Sequence, residues 1–566
     1  MIQSGLRRAV AASAAQAGED DWITNSHPSG IGPDSVSRPS NYETLIFAYE
    51  RELFICPGKL SGQIRNHFSA CSASAVRFLF WKNDLKASTP NIAQRENSMS
   101  GIFGIVSKKN CANTLLYGTD YHSHMGTEHA GMAVLGKRFY RSIHDISKSQ
   151  FKSKFADDYK GMKGHLGIGV ISDKDPQPLI VGSKFGTFAI VAAGLVENTE
   201  ELALELLREG ETFGEMSAKG INSVELIAKL ITRGQTIPEG INMVFDRIRG
   251  SASILLLQKD GIYAARDRMG RTPLVYGERD GEYAIATESC SFLNLGFQIK
   301  KYLDPGEIIL VNSSGLTEKS SGRPKNQICS FLWIYTGYPA SSYEGIAVEL
   351  VRERCGRSLA RNDHVKADLV AGVPDSGVGH AIGYAMESGL PYRRPLVKYT
   401  PGYGRSYTPP SQEIRDLVAT MKLIPIKEII KGNRIVLCED SIVRGTQLKN
   451  YTIRKLWDCG AKEVHVRPAC PPLMFPCRFA LSTRSTEELA ARRAIHALAG
   501  KTIDDVREYI DHRTKKYGKM VEWIGKELGV TTLRYQRIDD MVQAIGLPRE
   551  KLCLYCWNGE SLNSSV

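Results

Sequence analysis

From Gly101 to about Gly322 the chain alternates short apolar runs with Gly, Asp or Lys boundaries, among them GIFGIV, LGIGVIS, TFAIVAAGLV, ASILLLQ and GIYAAR. Such bounded runs read as strands. NTEELALELLREG and SVELIAKLITRG instead space their apolar residues at a helical period. This mixture predicts sheets layered with helices. From about Arg323 the pattern becomes a strict alternation: ADLVAGV is followed by GVGHAIGYAMESG, and RIVLCED by RGTQLKNYTIRKLWDCG, before EVHVRPAC. Strand–helix alternation predicts a parallel sheet. The tail from about Ser485 reads as largely helical, with a helical segment around Ile503–Met520, and ends in KLCLYCWNGE.

Composition narrows the class. The chain has 566 residues, 42% hydrophobic and 24% charged, a balance that suits a globular protein of two or three domains. No apolar run is long enough to span a bilayer, RFLFW being far too short, so no membrane partner is expected. The net charge is +12; residues 1–98 hold 10 basic and 9 acidic groups, so about +11 belongs to the remainder. Positive charge without a basic stripe interleaved with aromatics favours a small polyphosphate over nucleic acid. The 12 cysteines are unevenly spread, which favours reduced thiols or a metal cluster over a disulfide framework.

Residues 1–98 stand apart. MIQSGLRRAVAASAAQAG is rich in Arg, Ala and Ser and lacks acids, as a transit peptide would, whereas EDD at 19–21 does not fit one. A start at Met99 is the favoured expectation, with a cytoplasmic enzyme; organelle targeting is the alternative if residues 1–98 are translated.

The densest chemistry lies in RIVLCEDSIVRGTQL, Arg434 to Leu448. An apolar strand ends in Glu439 and Asp440. A loop with Ser441, Arg444, Gly445 and Thr446 follows, then a helix. Backbone N–H groups and a helix N-terminus at such a junction form an anion site. The hydroxyls add phosphate bonds, and the two carboxylates sit where they accept bonds from sugar hydroxyls and offset a developing positive charge. A bare strand–helix turn with an acidic cap is the bland alternative.

The full string resembles the PRPP-binding signature of type I phosphoribosyltransferases, in the version found in the amidophosphoribosyltransferase family. The likeness recurs in order along Ser100–Gly559. GVPDSGVGHAIGYA resembles the family's pyrophosphate loop, which implies roles for Asp375, Ser376 and Gly377. GYGRSYTPPSQEIR resembles its closing loop, with Lys398 and Arg405 as PRPP ligands; after Lys398 this chain has YTPGY where the family has Asn-Arg-Tyr. AARDRMGRTPLVYG and ATES resemble landmarks of the first domain. The resemblance implies an N-terminal-nucleophile αββα sandwich over 99–322, a type I phosphoribosyltransferase domain over 323–484 and a helical region over 485–566. It implies transfer of an amino group to C1 of PRPP, giving phosphoribosylamine and pyrophosphate at the first step of purine biosynthesis. Mg²⁺ would sit near Ser376, Glu439 and Asp440, purine nucleotides would act as feedback inhibitors, and a homo-oligomer is expected. In the iron–sulfur branch of the family, four cysteines in the contexts of Cys329, Cys477, Cys553 and Cys556 hold a [4Fe-4S] cluster. A zinc Cys₄ site or unrelated thiols are the alternatives, and Cys470 is a spare candidate.

The first domain departs from the family. Where an N-terminal cysteine attacks glutamine, this chain has Ser100. The family's His-Arg-Gly-Gln-Glu reads His124-Met125-Gly126-Thr127-Glu128. Its arginine-bearing strand falls near GVISDKDPQPL, its oxyanion Asn-Gly on Ala193-Gly194, and its substrate aspartate on Asn222. The expectation is an enzyme that uses free ammonia or another amine, its glutaminase lost. The alternatives are a surviving Ser100 glutaminase and a non-catalytic PRPP or nucleotide sensor that regulates a working paralogue.

Overall fold

The computed structural model describes residues 100–217, 220–322, 327–399, 421–479 and 485–560, together with the backbone of two short strands, Phe47–Tyr49 and Glu52–Phe54. The chain divides into two units, Met1–Phe80 and Trp81–Val566. The described part of the first is the antiparallel pair formed by those two short strands.

The second unit begins with two stacked antiparallel sheets. One has seven strands, with Ser100–Val106 between Glu282–Ala286 and Leu166–Ser172; the other has six, with Gly250–Gln258 between Gly186–Val196 and Gly261–Ala265. Side chains alternate across a strand, and these strands are apolar on both faces. Ala189, Val191 and Ala193 join Ile102, Val106 and Val170 in the layer between the sheets. Phe188 and Ile190 turn the other way, toward the helices Thr199–Arg208, Ser223–Arg233 and Ile237–Arg247. Phe103 and Ile105 face the helix Ala112–Asp120 across the seven-stranded sheet. That helix approaches closely: a Cβ on Gly118 would lie 2.3 Å from the Phe103 ring. Four layers result, αββα, as the family resemblance implies.

The strand–helix alternation beyond Arg323 forms a four-stranded parallel sheet in the order Leu369–Gly372, Arg434–Glu439, Glu463–Pro468, Thr532–Leu533. Val370, Val436 and Cys438 pack toward the helices Val348–Arg361 and Val378–Ser388. Ala371, Leu437 and Val466 pack toward the opposite face, covered by Ala490–Ala499 and Lys515–Leu528.

The tail is less purely helical than its sequence reads. It lends Thr532–Leu533 to the sheet edge, and Leu552–Cys553 pairs in parallel with Ile328–Cys329. The helix expected around Ile503–Met520 splits into Arg507–Ile510 and Lys515–Leu528. The second is capped by Thr514, which accepts the Tyr517 N–H, and stops at Gly529 with φ +70°. None of the described helices is long and apolar enough to cross a membrane.

Candidate active sites

The parallel sheet brings together the two loops that carry the predicted phosphate chemistry. Arg434–Glu439 ends with Glu439 and Asp440 both buried. The neighbouring strand Leu369–Gly372 ends in the loop through Asp375, Ser376 and Gly377. The loops touch through backbone, Val373 N–H donating to Cys438 O (3.0 Å); within the second loop Gly377 N–H donates to Val373 O (2.9 Å). A Cβ on Gly377 would lie 2.5 Å from Cys438 O, so a side chain there would push the loops apart. Ligands of open α/β sheets bind at this C-terminal edge.

Within the Glu439–Thr446 loop, Ser441 Oγ donates to Asp440 Oδ1 (2.6 Å) and Asp440 N–H to Glu439 Oε1 (3.2 Å). Burial, then the charge of Asp440, holds the Glu439 carboxyl well above the usual range. Two adjacent carboxylates out of water invite a cation between or above them. Gly445 takes φ +79°, a conformation that favours glycine, and the chain is helical from Thr446, so the helix N-terminus opens onto the loop. The tail steadies this loop: Arg444 pairs with Glu488 (2.8 Å), and Ala490 N–H donates to Val443 O (2.8 Å). Across the cleft, Lys398 closes the strand Leu396–Lys398 and reaches Asp375 Oδ2 at 2.6 Å, both side chains being solvent-accessible. Arg405 and the rest of Gly402–Arg415 lie outside the described residues.

The second site lies at one end of the sandwich. Ser100 starts its strand opposite Ser172, and its Oγ donates to Ser172 Oγ (3.2 Å). Ser172 Oγ also accepts the Lys174 N–H (3.2 Å). Ala193, Gly194, Ser251 and Asp175 complete the walls of a small recess beside them. Gly101 is needed here because a Cβ would meet the His122 side chain at 2.7 Å. His122 Nδ1 bonds Gly118 O (2.8 Å) and Nε2 accepts the Glu288 N–H (3.2 Å), so Nδ1 carries the proton. Burial lowers its pKa to about 4, which keeps the ring neutral.

The groups expected to hold glutamine are placed but changed. Ala193 is fully buried and offers no side-chain donor. Met125 is buried and apolar. Asn222 serves the fold: its Oδ1 accepts Val224 N–H (2.9 Å) at the start of Ser223–Arg233, and its Nδ2 donates to Pro176 O (2.9 Å). The lysine lining the recess, Lys174, lies 3.9 Å from Asp175.

The four cysteines converge from three segments. Cys329 and Cys553 are register partners of adjacent strands. Cys477 and Cys556 lie within hydrogen-bonding reach through sulfur; that bond and burial push the Cys556 thiol far up. Cys329 is raised by burial, then by the charges of Cys553 and Cys477. Cys470 stands apart, its neighbours being Trp557, Asp440 and Cys355. Among the described residues, no group of three or more His, Cys, Asp or Glu is arranged to hold a metal ion.

Sequence reasoning missed Glu288, although it marked ATES. Its carboxylate is fully buried and receives Tyr343 Oη (2.6 Å), Ser341 Oγ and His124 Nε2 (3.0 Å), joining the sandwich to the segment after Gly322. Burial pushes its pKa up, but the charge and hydrogen bonds of these partners outweigh that and leave it below the usual carboxylate range.

Residues 165–294 match the glutamine amidotransferase domain family. An amidophosphoribosyltransferase of Methanocaldococcus jannaschii is 32% identical over 491 residues, covering 82% of this chain and 97% of its own. That of Bacillus subtilis is 29% identical over 481 residues, covering 82% and 94%. A solved structure described as glutamine phosphoribosylpyrophosphate (PRPP) amidotransferase from B. subtilis complexed with ADP and GMP aligns with a TM-score of 0.70 at 29% identity, over 82% of this chain and 97% of that one. Another, described as the allosteric regulatory enzyme of purine biosynthesis, gives 0.70 at 28% identity, over 82% and 96%. An αββα sandwich followed by a parallel-sheet half with two adjoining strand-end loops, matched in order to these relatives, identifies the chain as a member of the amidophosphoribosyltransferase family, the pentosyltransferases of purine biosynthesis.

Proposed function

We propose that this enzyme forms phosphoribosylamine from PRPP and free ammonia, and that its glutamine-hydrolysing activity is lost. The observation that carries the first part is the buried Glu439–Asp440 pair held against the Asp375–Gly377 loop at the sheet's C-terminal edge. The 5′-phosphate fits the backbone N–H groups and hydroxyls of the Ser441–Thr446 loop, with Arg444 beside it. The ribose hydroxyls fit the two carboxylates, and pyrophosphate fits the Asp375–Gly377 loop with Lys398 above. As the C1–oxygen bond to pyrophosphate breaks, positive charge develops on the ribose, and the carboxylates offset it in a low-dielectric setting. The ammonia lone pair forms the new C1–N bond, and the resulting ammonium loses one proton to solvent. Positioning and electrostatics supply most of the acceleration. Mg²⁺ fits near Ser376, Glu439 and Asp440, where it would neutralise pyrophosphate charge while keeping several waters.

Loss of glutamine use rests on Ser100 facing Ser172, on Ala193 in place of an amide donor, and on Asn222 being committed to its helix. Removing one oxyanion donor alone costs about two to three orders of magnitude in rate.

The cysteine quartet suits a [4Fe-4S] cluster held by Cys329, Cys477, Cys553 and Cys556. A single zinc needs four sulfurs about 2.3 Å from one centre, whereas a cubane takes each thiolate at a different iron and tolerates a wider quartet. The amino transfer requires no electron transfer, so the group would serve stability. Purine nucleotides, as in the B. subtilis neighbour complexed with ADP and GMP, are the expected feedback ligands.

The test is pyrophosphate release from PRPP by the full chain with Mg²⁺ and ammonium at alkaline pH. Ammonia-dependent release supports the reading; PRPP binding with no release under any amine would leave a sensor instead.

A further inference from the structure

Arg271 is almost fully buried, yet it lies at the junction of the two halves. It sits on a turn that the sandwich holds rigidly. Asp267 accepts the N–H groups of Met269 (3.1 Å) and Thr272 (3.1 Å), and Gly270 adopts φ +63°. From this turn the guanidinium donates to Gln327 Oε1 (2.9 Å) and lies 3.7 Å over the centre of the Phe479 ring. Its positive charge also bears on the Cys553 thiol and opposes the upward push of burial there. One side chain thus contacts two of the segments that carry the cysteines, Gln327 preceding Cys329 by two residues and Phe479 following Cys477 by two, and its charge reaches the third at Cys553. The same tripeptide, Cys477–Phe479, is tied to the sandwich. Leu195 N–H donates to Phe479 O (3.1 Å), and Arg478 pairs with Glu197 (2.8 Å). Leu195 follows Ala193-Gly194 directly, so these ties act on the strand that walls the Ser100 recess.

We propose that Arg271 is a positioning residue that fastens the cysteine quartet to the amidotransferase-like half, so that the state of the four thiols is transmitted to the strand Gly186–Val196. A planar guanidinium suits this place because it hydrogen-bonds in its plane while stacking on an aromatic face. A metal-loaded quartet consists of thiolates, and a buried cation is better compensated beside them than beside neutral thiols. Loading therefore tightens the fastening, and loss or oxidation of the quartet loosens it. Only the metal-dependent part rests on the cluster reading; the fastening itself does not.

The experiment compares the full chain with Arg271→Met and Arg271→Lys, purified without oxygen. Iron and acid-labile sulfide are measured per chain, and hydrogen exchange is measured on peptides covering 186–196 and 434–446. Arg271→Met is expected to raise exchange in 186–196 by about tenfold and leave 434–446 unchanged, with Arg271→Lys intermediate. It is also expected to lower iron content to less than about half that of the unmodified protein. Unchanged exchange and unchanged iron would overturn the proposal. If the unmodified protein carries no iron or sulfide, the cluster reading fails alone; the exchange result still decides the fastening, with a rise supporting it and equality overturning it. Should Arg271→Met not accumulate as folded protein, Phe479→Leu removes the stacking face and keeps every charge. It is expected to raise exchange in 186–196 by about threefold, and equality there would overturn the proposal.

Discussion

At the end of Arg434–Glu439 two buried carboxylates stand beside an open helix N-terminus, with a second loop held against them through Val373 and Gly377. At the start of Ser100–Val106 one serine hydroxyl faces another, beside an alanine. Both sites rest on sheets of comparable order, and both occupy the place where their fold presents chemistry. The difference shows how separable the two are. The sandwich is held by apolar layers such as Ile102, Val170, Val191 and Leu255, all fully buried, and none of these requires a nucleophile or an oxyanion donor. A catalytic recess at the edge of such a core can change without loosening it. In the parallel-sheet half, by contrast, Glu439 sits at an energetic cost, since a buried carboxyl beside Asp440 is unfavourable without a cation or ligand. A costly arrangement that a bound cation or ligand would relieve argues for use.

The largest effect that would break the contrast is at Asp440. Asp440→Asn should cut ammonia-dependent pyrophosphate release by about two to three orders of magnitude, because it removes charge facing the transition state. Full activity in that variant would dissolve the distinction between the halves. A smaller effect concerns pH. The Glu439 pKa is raised in the folded state by burial and by Asp440. Between the ordinary carboxylate range and that raised value, the unfolded chain has lost the proton that the folded chain keeps. Stability of the ligand-free protein is therefore fully present below the unfolded pKa and falls as pH rises through this window. Melting temperature against pH should show this fall in the unmodified protein and a flatter profile in Glu439→Gln; identical slopes would contradict it. The smallest effect is at Ser100. Ser100→Ala should leave ammonia-dependent turnover within about twofold and cost about 1 kcal/mol of stability, the worth of one hydrogen bond to Ser172. A large loss of turnover would mean that the sandwich still contributes chemistry.

The strands and helices were legible where their periodicity was long. LGIGVIS, TFAIVAAGLV and ASILLLQ became the strands Leu166–Ser172, Gly186–Val196 and Gly250–Gln258. The loop after Glu439 was legible as a candidate phosphate site because adjacent acids at a strand end, followed by hydroxyls and a glycine, are a local pattern. Strands of two residues, Thr532–Leu533 and Leu552–Cys553, carry no period to read and exist only through their partners. The residue opposite Ser100 was illegible for a related reason. Which side chain faces it depends on strand register, and a slip of one residue reverses every side chain on the strand. Pairing of Ser100 with Ser172 settles it. Glu288 and Arg271 act through partners more than 50 residues away, such as Tyr343 and Gln327, so no local window could show their roles.

The central claim is that the amino donor is ammonia and that glutamine no longer serves. It is tested most directly by measuring PRPP-dependent pyrophosphate release by the full chain, prepared without oxygen, with ammonia or glutamine as the sole nitrogen source. The account predicts turnover with ammonia and less than about 1% of that rate with glutamine; equal turnover with glutamine would contradict it.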